Sequence, residues 1–379
     1  MAIQLEKYTS GHWQPARGYK YFLPGSINDQ WFWEDAQLNT LLEKASIKLG
    51  ELNSFARLVP NIDLFIQLHV SKEAVISSRI EGTQTDIKEA MLPINEIPPE
   101  RRNDWKEVNN YTYALNSAIE SLNTLPVSSR LIKKAHQTLL SGVRGEHKLP
   151  GTFRTSQNWI GGSSPSDAVF VPPSHEFVED LMGDLENFLH NETIDVPLLI
   201  RIGIAHYQFE TIHPFLDGNG RIGRLLITLF LVDMQILCQP LLYLSSYFEK
   251  NKENYYDNLT RVREKNDMLQ WLKYFLIGIE RTAGDAVDTL SKIIVLKQNM
   301  ENKIQNDWGR RTQKGLKLLQ ELFIHPVITI KEAMGKCDVS KKAAGELILQ
   351  FEKEGILTEQ TGFSRNRIFT FSAYLDLFN

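Results

Sequence analysis

The sequence predicts a mainly α-helical protein with one small β-hairpin and a C-terminal α+β domain. Apolar residues recur at helical spacing through most of the chain, this spacing disappears between 151 and 173, and the final stretch predicts three short helices followed by two strands. At 379 residues the chain is long for a single hydrophobic core, so more than one domain is expected. We therefore divide it into an N-terminal region (1–100), a central core (101–304) and a C-terminal domain (305–379).

The N-terminal region begins with about 34 residues rich in glycine, proline and aromatic side chains, which predict an irregular arm packed against the body of the protein. Farther along, apolar spacing predicts helices. Ile202, Ala205 and Phe209, for example, share one face of such a helix. Asp195 would be its N-cap, and Pro197 would lie in its first turn. The predicted helices cover 38–49, 63–81, 104–122, 128–140, 174–190, the segment after 197, and 221–237.

Two segments depart from this helical pattern. Between Gly151 and Pro173, β-forming residues and the pair Gly161-Gly162 predict a β-hairpin with a long polar tip. After a polar stretch at 305–311, the predicted elements are helices over 314–324, 330–337 and 340–354 and strands over 357–360 and 367–371. Three helices followed by a hairpin are typical of the winged helix, a relative of the helix-turn-helix.

The composition excludes several classes of protein. A net charge of −4 and a pI near 6.2 argue against a protein that coats nucleic acid or an anionic membrane over its whole surface. Cys238 and Cys337 lie far apart, and a structural zinc site needs about four ligands, so we expect two reduced cysteines in a cytoplasmic protein. The N-terminus lacks the pattern of a signal peptide, and no stretch approaches the ~18 apolar residues of a membrane span.

The stretch from His213 to Arg224 carries the strongest functional signal in the chain. Within it, Gly218-Asn219-Gly220 lies directly ahead of an apolar helix. Free backbone N–H groups and the helix dipole would therefore point into this turn. Glycine permits the left-handed backbone that turns successive N–H groups toward one anion. The turn is predicted to cradle phosphate.

Charged residues on both sides of the turn complete this constellation. Asp217 is placed to hold a divalent cation, and Arg221 and Arg224 share a helix face from which they would reach outer phosphates. His213, whose type has an ordinary pKa near ~6.5, suits a general base. Each residue also has an ordinary explanation as a helix end, a turn or a solvated side chain. Their combination in this order favours the functional interpretation.

The stretch matches without departure the motif His-x-Phe-x-Asp/Glu-Gly-Asn-Gly-Arg-x-x-Arg. Over about 35–300 the chain resembles Fic-family proteins, which transfer AMP from ATP to protein hydroxyls. The resemblance implies a Fic-type helical bundle in which His213 takes the proton from a Ser, Thr or Tyr hydroxyl, whose oxygen then attacks the α-phosphate. It implies that Asp217 binds Mg²⁺ or Mn²⁺. The residues implied to bind the phosphates are Gly218, Asn219, Gly220, Arg221 and Arg224.

The family's flap, a hairpin that pins the target chain beside the nucleotide, resembles the segment 154–173. The matching positions are Asn158, Trp159, Ile160 and Gly161. An exposed strand edge there would align an extended peptide, whereas an ordinary surface hairpin is the alternative. Tyr255 and Tyr256 match a tyrosine pair that lines the adenine pocket, although tyrosines in an aromatic-rich helix are equally typical of a core. Arg263 stands where some relatives carry an asparagine that contacts the base.

A second motif precedes the first. Glu81 lies in the last turn of its predicted helix, where the dipole disfavours an anion by roughly 0.3–1 kcal/mol, so a cationic partner elsewhere is expected. Ser77 is placed to hydrogen-bond this carboxylate, and Gly82 is the expected C-cap. The segment resembles the family's inhibitory pattern Ser/Thr-x-x-x-Glu-Gly/Asn, which implies that Glu81 pairs with Arg224 and denies it to the γ-phosphate. Without the resemblance, Glu81 would be interpreted as a solvated residue at a helix end. In some relatives the matching glutamate helps water to remove AMP from modified targets, so a reverse activity is also possible for this chain.

The C-terminal domain leaves its partner open. From Arg310 onward there are 11 Lys or Arg and 8 Asp or Glu, and the wing tip carries Arg365 and Arg367. This permits DNA contacts, but winged helices also bind proteins or form dimers. The alternatives to an AMP-transferase are a nucleotide-sensing DNA-binding regulator and a Fic-type transferase that moves UMP, phosphocholine or phosphate; the intact His213 favours an enzyme. We also expect the protein to form a homodimer, to act on an unidentified target protein and to make no contact with a membrane.

Overall fold

The computed structural model describes residues 2–59, 62–362 and 367–378, and over these residues the protein is mostly helical, as the sequence predicts. The helices are α1 (Ala36–Leu58), α2 (Asp63–Ile80), α3 (Ile87–Ala90), α4 (Arg102–Ser121), α5 (Ser129–Leu139), α6 (Val178–His190), α7 (Leu198–Ile212), α8 (Asn219–Asp233), α9 (Ser245–Lys250), α10 (Lys252–Lys265), α11 (Met268–Asp307), α12 (Thr312–Ile324), α13 (Ile330–Cys337), α14 (Lys341–Lys353) and α15 (Ser372–Leu375). The strands are β1 (Ala2–Gln4), β2 (Gly11–Ala16), β3 (Tyr19–Pro24), β4 (Gln30–Phe32), β5 (Val327–Thr329), β6 (Thr358–Glu359) and β7 (Ile368–Thr370). Within the described ranges, none of the helices has the length and apolarity required to cross a membrane.

The N-terminal arm is regular, so the prediction of an irregular arm was wrong. β1 pairs in parallel with β4, and β2 pairs with β3 in an antiparallel hairpin. The hairpin turn contains Gly18 with a φ of +85°, a left-handed conformation that glycine adopts without steric cost. Pro15 and Pro24 lie within these short strands, whose edge positions tolerate a missing N–H. The hairpin also contacts the segment before α6, because the Phe22 N–H donates to the Val171 carbonyl at 2.9 Å.

Helix α7 lies at the centre of the core. Every residue from Leu199 to Ile212 is buried, so its polar side chains need partners inside the protein. The ring of His206 hydrogen-bonds the Tyr255 hydroxyl at 2.9 Å. The indole N–H of Trp271 donates to the Gly203 carbonyl at 2.8 Å, which joins α11 to α7. These contacts fix the position at which α7 ends, and the functional motif starts there.

Most predicted helix boundaries agree closely with the structure, but two differ in an informative way. α7 begins at Leu198 with Pro197 as its N-cap, so Asp195 does not cap it. α11 continues to Asp307, beyond the predicted domain border, because its apolar face extends as far as the buried Ile304. The domain borders themselves stay predictions.

The segment between α5 and α6 is not the predicted two-stranded hairpin. It contains a single β-bridge between Ile160 and Phe170. Gly161 and Gly162 both have a positive φ, of 69° and 71°, which turns the chain away from an extended strand. Asp167 then accepts hydrogen bonds from the backbone N–H groups of the two serines that follow these glycines, so these groups are not available to a β-ladder. The tip is a polar loop rather than a pair of strands.

The C-terminal elements pack against α2. Helices α12, α13 and α14 are followed by an antiparallel sheet with the strand order β5-β7-β6. β5 was not predicted; its last residue, Thr329, caps α13 through a capping box with Glu332. The ring of Phe323 in α12 meets Phe65 in α2 edge to face, with centroids 5.5 Å apart. The order of helices agrees with the sequence, whereas the winged-helix interpretation stays a prediction.

Glu73 is a buried acid in the middle of α2. Its Oε1 atom accepts hydrogen bonds from the Tyr111 hydroxyl at 3.0 Å and from the Ser245 hydroxyl at 2.5 Å. Burial raises its pKa to about 7, against the lowering effect of the Ser245 hydroxyl and of Arg224. The folded protein therefore holds a proton on Glu73 that the unfolded chain loses above its ordinary pKa of about 4.3.

Glu73 should make the protein less stable as the pH rises from about 4.3 to about 7, because the folded state retains a proton that the unfolded state releases. Glu73→Gln imitates the protonated acid. We expect this variant to melt a few degrees above the wild type at pH 8 and to match it near pH 5. Thermal unfolding at the two pH values measures the difference; an equal shift at both would contradict the raised pKa.

Candidate active site

His213 lies at the point where α7 ends, and its backbone conformation is unusual. Its φ of +51° and ψ of +61° are left-handed, which costs about 1–3 kcal/mol in a residue other than glycine and must be held by its surroundings. The His213 carbonyl accepts hydrogen bonds from Arg154 Nε at 3.0 Å and from Asn158 Nδ2 at 2.9 Å. The segment before α6 therefore holds the histidine in place.

The imidazole of His213 is neutral at physiological pH. Burial, and after it the guanidinium groups of Arg263 and Arg154, lower its pKa to about 4. Its Nδ1 atom is buried and has no hydrogen-bond partner among the described residues. A neutral imidazole keeps a lone pair on one ring nitrogen and is therefore able to accept a proton.

The loop after His213 is closed by Asn219. The Asn219 Oδ1 atom accepts from the Phe215 N–H, and its Nδ2 donates to the Phe215 carbonyl, both at 2.8 Å. Asn158 donates to the same carbonyl at 2.9 Å. Gly218 has a φ of +75°, so it supplies the left-handed turn that the sequence predicts. The side-chain amide of Asn219 thus holds the loop, and its role as a phosphate ligand stays a prediction.

His136 is a site residue that the sequence analysis missed. Its ring stacks on Phe215, with centroids 3.8 Å apart. Because the Gly151 N–H donates to His136 Nδ1, the ring proton lies on Nε2, which donates to the Asp217 carbonyl at 3.0 Å. Its one sequence signal is a histidine on the apolar face of α5, where a polar side chain needs a partner.

Asp217 is the acid of the glycine turn, and it is partly exposed. Its Oδ1 atom accepts from the Gly218 N–H at 2.6 Å and lies 3.8 Å from Arg221 Nη2. The described residues contain no group of three side chains that could hold a metal ion. The site fits Mg²⁺ or Mn²⁺ as these ions bind nucleotides, with one protein carboxylate and the remaining ligands from phosphate and water.

Arg221 is buried and is held by an acid that the sequence did not reveal. Its Nη1 atom lies 3.0 Å from Glu107 in α4, and Arg144 lies 3.5 Å from the same carboxylate. Burial raises the pKa of Glu107, while the two arginines oppose this effect. Arg221, which is predicted to bind phosphate, is thus already paired with an acid, and this pairing fixes its side chain beside the cradle.

Arg224 makes the contact that the second motif implies. Its Nη2 atom lies 2.7 Å from Glu81 Oε1 and donates to the Ser77 carbonyl at 2.9 Å, while its Nε donates to the Ser77 hydroxyl at 2.8 Å. Burial acts to raise the pKa of Glu81, but Arg224 outweighs it and the pKa falls below its ordinary value. Gly82 ends this helix with a φ of +106°, and a β-carbon at Gly220 would collide with Glu81 Oε1. The carboxylate therefore lies directly against the glycine turn.

Comparison with known proteins identifies the domains to which these residues belong. Residues 39–120 match the Fic/DOC family N-terminal domain, and residues 126–231 match the Fic/DOC family domain, which contains the motif. The chain belongs to the Fic/DOC family. A Fic family protein from Desulfovibrio desulfuricans has the same fold, with a TM-score of 0.57 and 18% identity over 90% of this chain and 97% of that protein.

Two curated relatives resemble parts of the chain. A probable protein adenylyltransferase of Aquifex aeolicus is 29% identical over 204 residues, which are 54% of this chain and 58% of the relative. The protein adenylyltransferase fic-1 of Caenorhabditis elegans is 37% identical over 119 residues, which are 31% of this chain and 22% of the relative. The chain thus spans less than two thirds of each relative's length.

The residues matched to the Fic flap are divided between two roles. Trp159 is 40% exposed and Val169 is 80% exposed, so the residues that precede Ile160 and Phe170, the two partners of the bridge, present apolar side chains to solvent. Gly161 forms the adjoining turn. Asn158, in contrast, is buried and braces the motif, as its two hydrogen bonds to backbone carbonyls show.

The tyrosine pair of the Fic resemblance is also divided. Tyr255 is buried, hydrogen-bonded to His206 and stacked on Phe248 with centroids 4.4 Å apart, as in the core alternative, and its placement in an adenine pocket stays a prediction. Tyr256 is 43% exposed and stays a candidate for the base. Arg263, at the position of the family's asparagine, lies 3.8 Å above the Phe170 ring and attaches the flap to the end of α7.

Asn219→Asp should destabilise the folded protein by weakening the loop that Asn219 holds closed. The substitution keeps the shape but replaces the donor to the Phe215 carbonyl with a buried oxygen, so we expect a loss of about 1–3 kcal/mol in unfolding free energy. Urea unfolding measures this loss. Asn254→Asp, at an exposed position in α10, is the matched control, and equal losses in the two variants would refute the bracing role.

Proposed function

We propose that this protein transfers AMP from ATP to a hydroxyl group of a protein substrate, and that Glu81 restrains the reaction. The observation that carries the proposal is the neutral His213 imidazole beside a glycine turn flanked by Asp217, Arg221 and Arg224. The curated relatives that carry the name protein adenylyltransferase support it. ATP as the donor and a Ser, Thr or Tyr hydroxyl as the acceptor follow from the same likeness.

The residues present would perform this transfer by positioning and proton removal. His213 takes the proton from the target hydroxyl, and the oxygen forms a bond to the α-phosphorus of ATP. The bond between that phosphorus and the bridging oxygen breaks, and pyrophosphate leaves with its electron pair. The backbone N–H groups from Gly218 to Gly220 would bind the phosphates, and Arg221 would offset their charge.

Asp217 is the residue that would hold a divalent cation. When bound, Mg²⁺ or Mn²⁺ would neutralise charge on the phosphates and fix their orientation. The hydrogen bond from the Gly218 N–H holds the carboxylate at the turn, and the neutral His136 N–H fixes the Asp217 carbonyl. These two contacts orient the acid toward the cradle without blocking both of its oxygens.

The restraint depends on Arg224. In the structure all three of its bonded contacts go to Ser77 and Glu81, so the guanidinium is occupied before any phosphate arrives. ATP would have to displace the Glu81 carboxylate, which also lies against Gly220, to bind Arg224. We infer that a change which withdraws the C-terminal end of α2 activates the protein. Removal of AMP with the help of Glu81 is a further prediction for this site.

The DNA-binding alternative has less support from the described residues. Lys341 and Lys342 are exposed at the start of α14, but Glu346 and the exposed Leu349 follow them on that helix. Glu346 pairs with Arg311 at 2.7 Å. A face of this composition is more typical of a protein contact than of DNA backbone binding. The predicted wing residue Arg365 lies outside the described residues; the homodimer, the cytoplasmic location and the other donors stay predictions.

Glu81→Gly should raise AMP incorporation by about tenfold or more, because it removes the carboxylate that competes with phosphate for Arg224. A tenfold change corresponds to about 1.4 kcal/mol of free energy. His213→Ala in the Glu81→Gly background should lower incorporation by about 10²–10⁴-fold through loss of the base. Incorporation is measured with ATP labelled at the α-phosphate, and mass spectrometry identifies the adduct.

The control is Glu100→Gly, which removes an exposed glutamate far along the chain from the motif. Equal incorporation by the wild type and Glu81→Gly would remove the restraint from this account. An adduct of another mass would retain the transferase and replace the donor. No adduct in any variant would contradict the proposed function itself.

Ser77→Ala should release the restraint partly. It removes the hydroxyl that accepts from Arg224 Nε but leaves the Ser77 carbonyl and Glu81 in place, so incorporation should fall between the wild type and Glu81→Gly. Ser78→Ala is the matched control, since the buried Ser78 hydroxyl has no hydrogen-bond partner among the described residues. The order Glu81→Gly, Ser77→Ala, wild type is the expected ranking, and any other order would argue against a shared hold on Arg224.

A further inference from the structure

A second cleft lies away from the Fic motif, between α2, α9, α11 and the C-terminal residues. Its volume is about 280 Å³, close to the lower limit of roughly 300 Å³ for pockets that hold small molecules. Helix α2, which carries Ser77 and Glu81 at the motif, also contributes His69, Lys72 and Glu73 to the wall of this cleft. Neither the glycine turn nor the flap lines it.

The cleft gathers three cationic side chains from three helices. Lys72 comes from α2, Lys250 from the end of α9 and Arg281 from α11. Among the described residues, none of the three forms an ion pair with a carboxylate, and Asp285 on the rim is the acid that acts on Lys72 at longer range. Burial and the neighbouring Lys250 lower the pKa of Lys72, so the two charges repel each other across the cleft. An anion between them would relieve this repulsion.

The floor of the cleft carries polar atoms that lack partners. His69 is 6% exposed, and its Nε2 atom has no hydrogen-bond partner among the described residues; the same holds for Oε2 of Glu73, which is 3% exposed. Leaving a buried polar group without a partner costs about 1–3 kcal/mol, so such atoms mark places where a partner is expected. Because burial raises the pKa of Glu73 to about 7, this acid does not carry a full charge against an anion.

The remaining wall is apolar and aromatic. Tyr243, Tyr247 and Phe378 line the cleft together with Leu241 and Ala286. The Phe378 ring packs edge to face on His69, with centroids 4.8 Å apart. Aromatic faces and edges of this kind bind a flat ring or a short apolar body.

We propose that this cleft binds a small organic oxyanion, a phosphate or carboxylate group attached to an aromatic or apolar ring. Lys72, Lys250 and Arg281 bind the oxyanion, and the unpartnered atoms of His69 and Glu73 face the polar part of the ligand. The ring lies against the tyrosines and Phe378. Three cations and an aromatic wall in a cleft of this size match such a molecule better than a bare ion or a peptide.

Binding to the full-length chain without ATP tests the site. Isothermal titration with phenyl phosphate, benzoate and phenol separates the oxyanion from the ring. We expect phenyl phosphate or benzoate to bind at least about tenfold more tightly than phenol, and their ratio identifies phosphate or carboxylate as the preferred group. Inorganic phosphate alone should bind more weakly than phenyl phosphate because it leaves the aromatic wall unused.

The double variant Lys250→Gln/Arg281→Gln should weaken phenyl phosphate binding by about tenfold or more and leave phenol binding nearly unchanged. Both residues are exposed, so folding should be retained, and a thermal melt checks it. The matched control is Lys292→Gln, which changes an exposed lysine of α11, the helix of Arg281, outside the cleft. Binding that survives the double variant, equal affinity for phenol, or no binding of either anion would overturn the site. Each result is independent of AMP transfer, which is measured separately.

Discussion

The buried guanidinium of Arg224 is the interaction on which the rest of the site depends. A buried charge needs a partner, and removing one partner of a buried pair typically costs about 3–5 kcal/mol. The side chain of Glu81 is 33% exposed, so solvent screens part of this cost. Ser77 supplies the other contacts with its hydroxyl and its carbonyl. The same charge that would bind a phosphate therefore requires α2 to lie against α8 when no nucleotide is present.

Helix α2 connects this charge to two other parts of the protein. Ser77 and Glu81 face Arg224, and Glu73, one turn earlier on the same face, is held by residues of α4 and α9. Near the start of the helix, Phe65 and His69 pack against Phe323 and Phe378 of the C-terminal elements. The contact between Glu81 and Arg224 thus lies at one end of a helix whose other end packs against the C-terminal elements.

Sequence reasoning was most successful where the interactions are local. The motif from His213 to Arg224 is contiguous, so its turn and the shared face of its arginines follow from spacing alone. Glu107 and His136 were missed because the motif residues that they contact, Arg221 and Asp217, lie 114 and 81 positions away, and nothing in the local pattern names them. The flap failed for a different reason: β-forming residues predicted strands, but the left-handed Gly161 and the hydrogen bonds of Asp167 outweighed that propensity. The burial of Tyr255 could not be predicted from the sequence, because contacts with α7 and α9 decide it and sequence spacing does not record them.

Under the proposed function, the charges around His213 link the restraint by Glu81 to the removal of the hydroxyl proton. Burial lowers the pKa of His213 most, Arg263 and Arg154 lower it further, and Glu81 acts in the opposite direction. When Glu81 withdraws, the arginines lose the carboxylate that offsets them, and the imidazole becomes a weaker base. A triphosphate in the cradle would return negative charge to the same place and raise the basicity again. Under the proposed function, the bound nucleotide therefore makes His213 a stronger base, so proton removal and nucleotide binding are coupled through the charges around the imidazole.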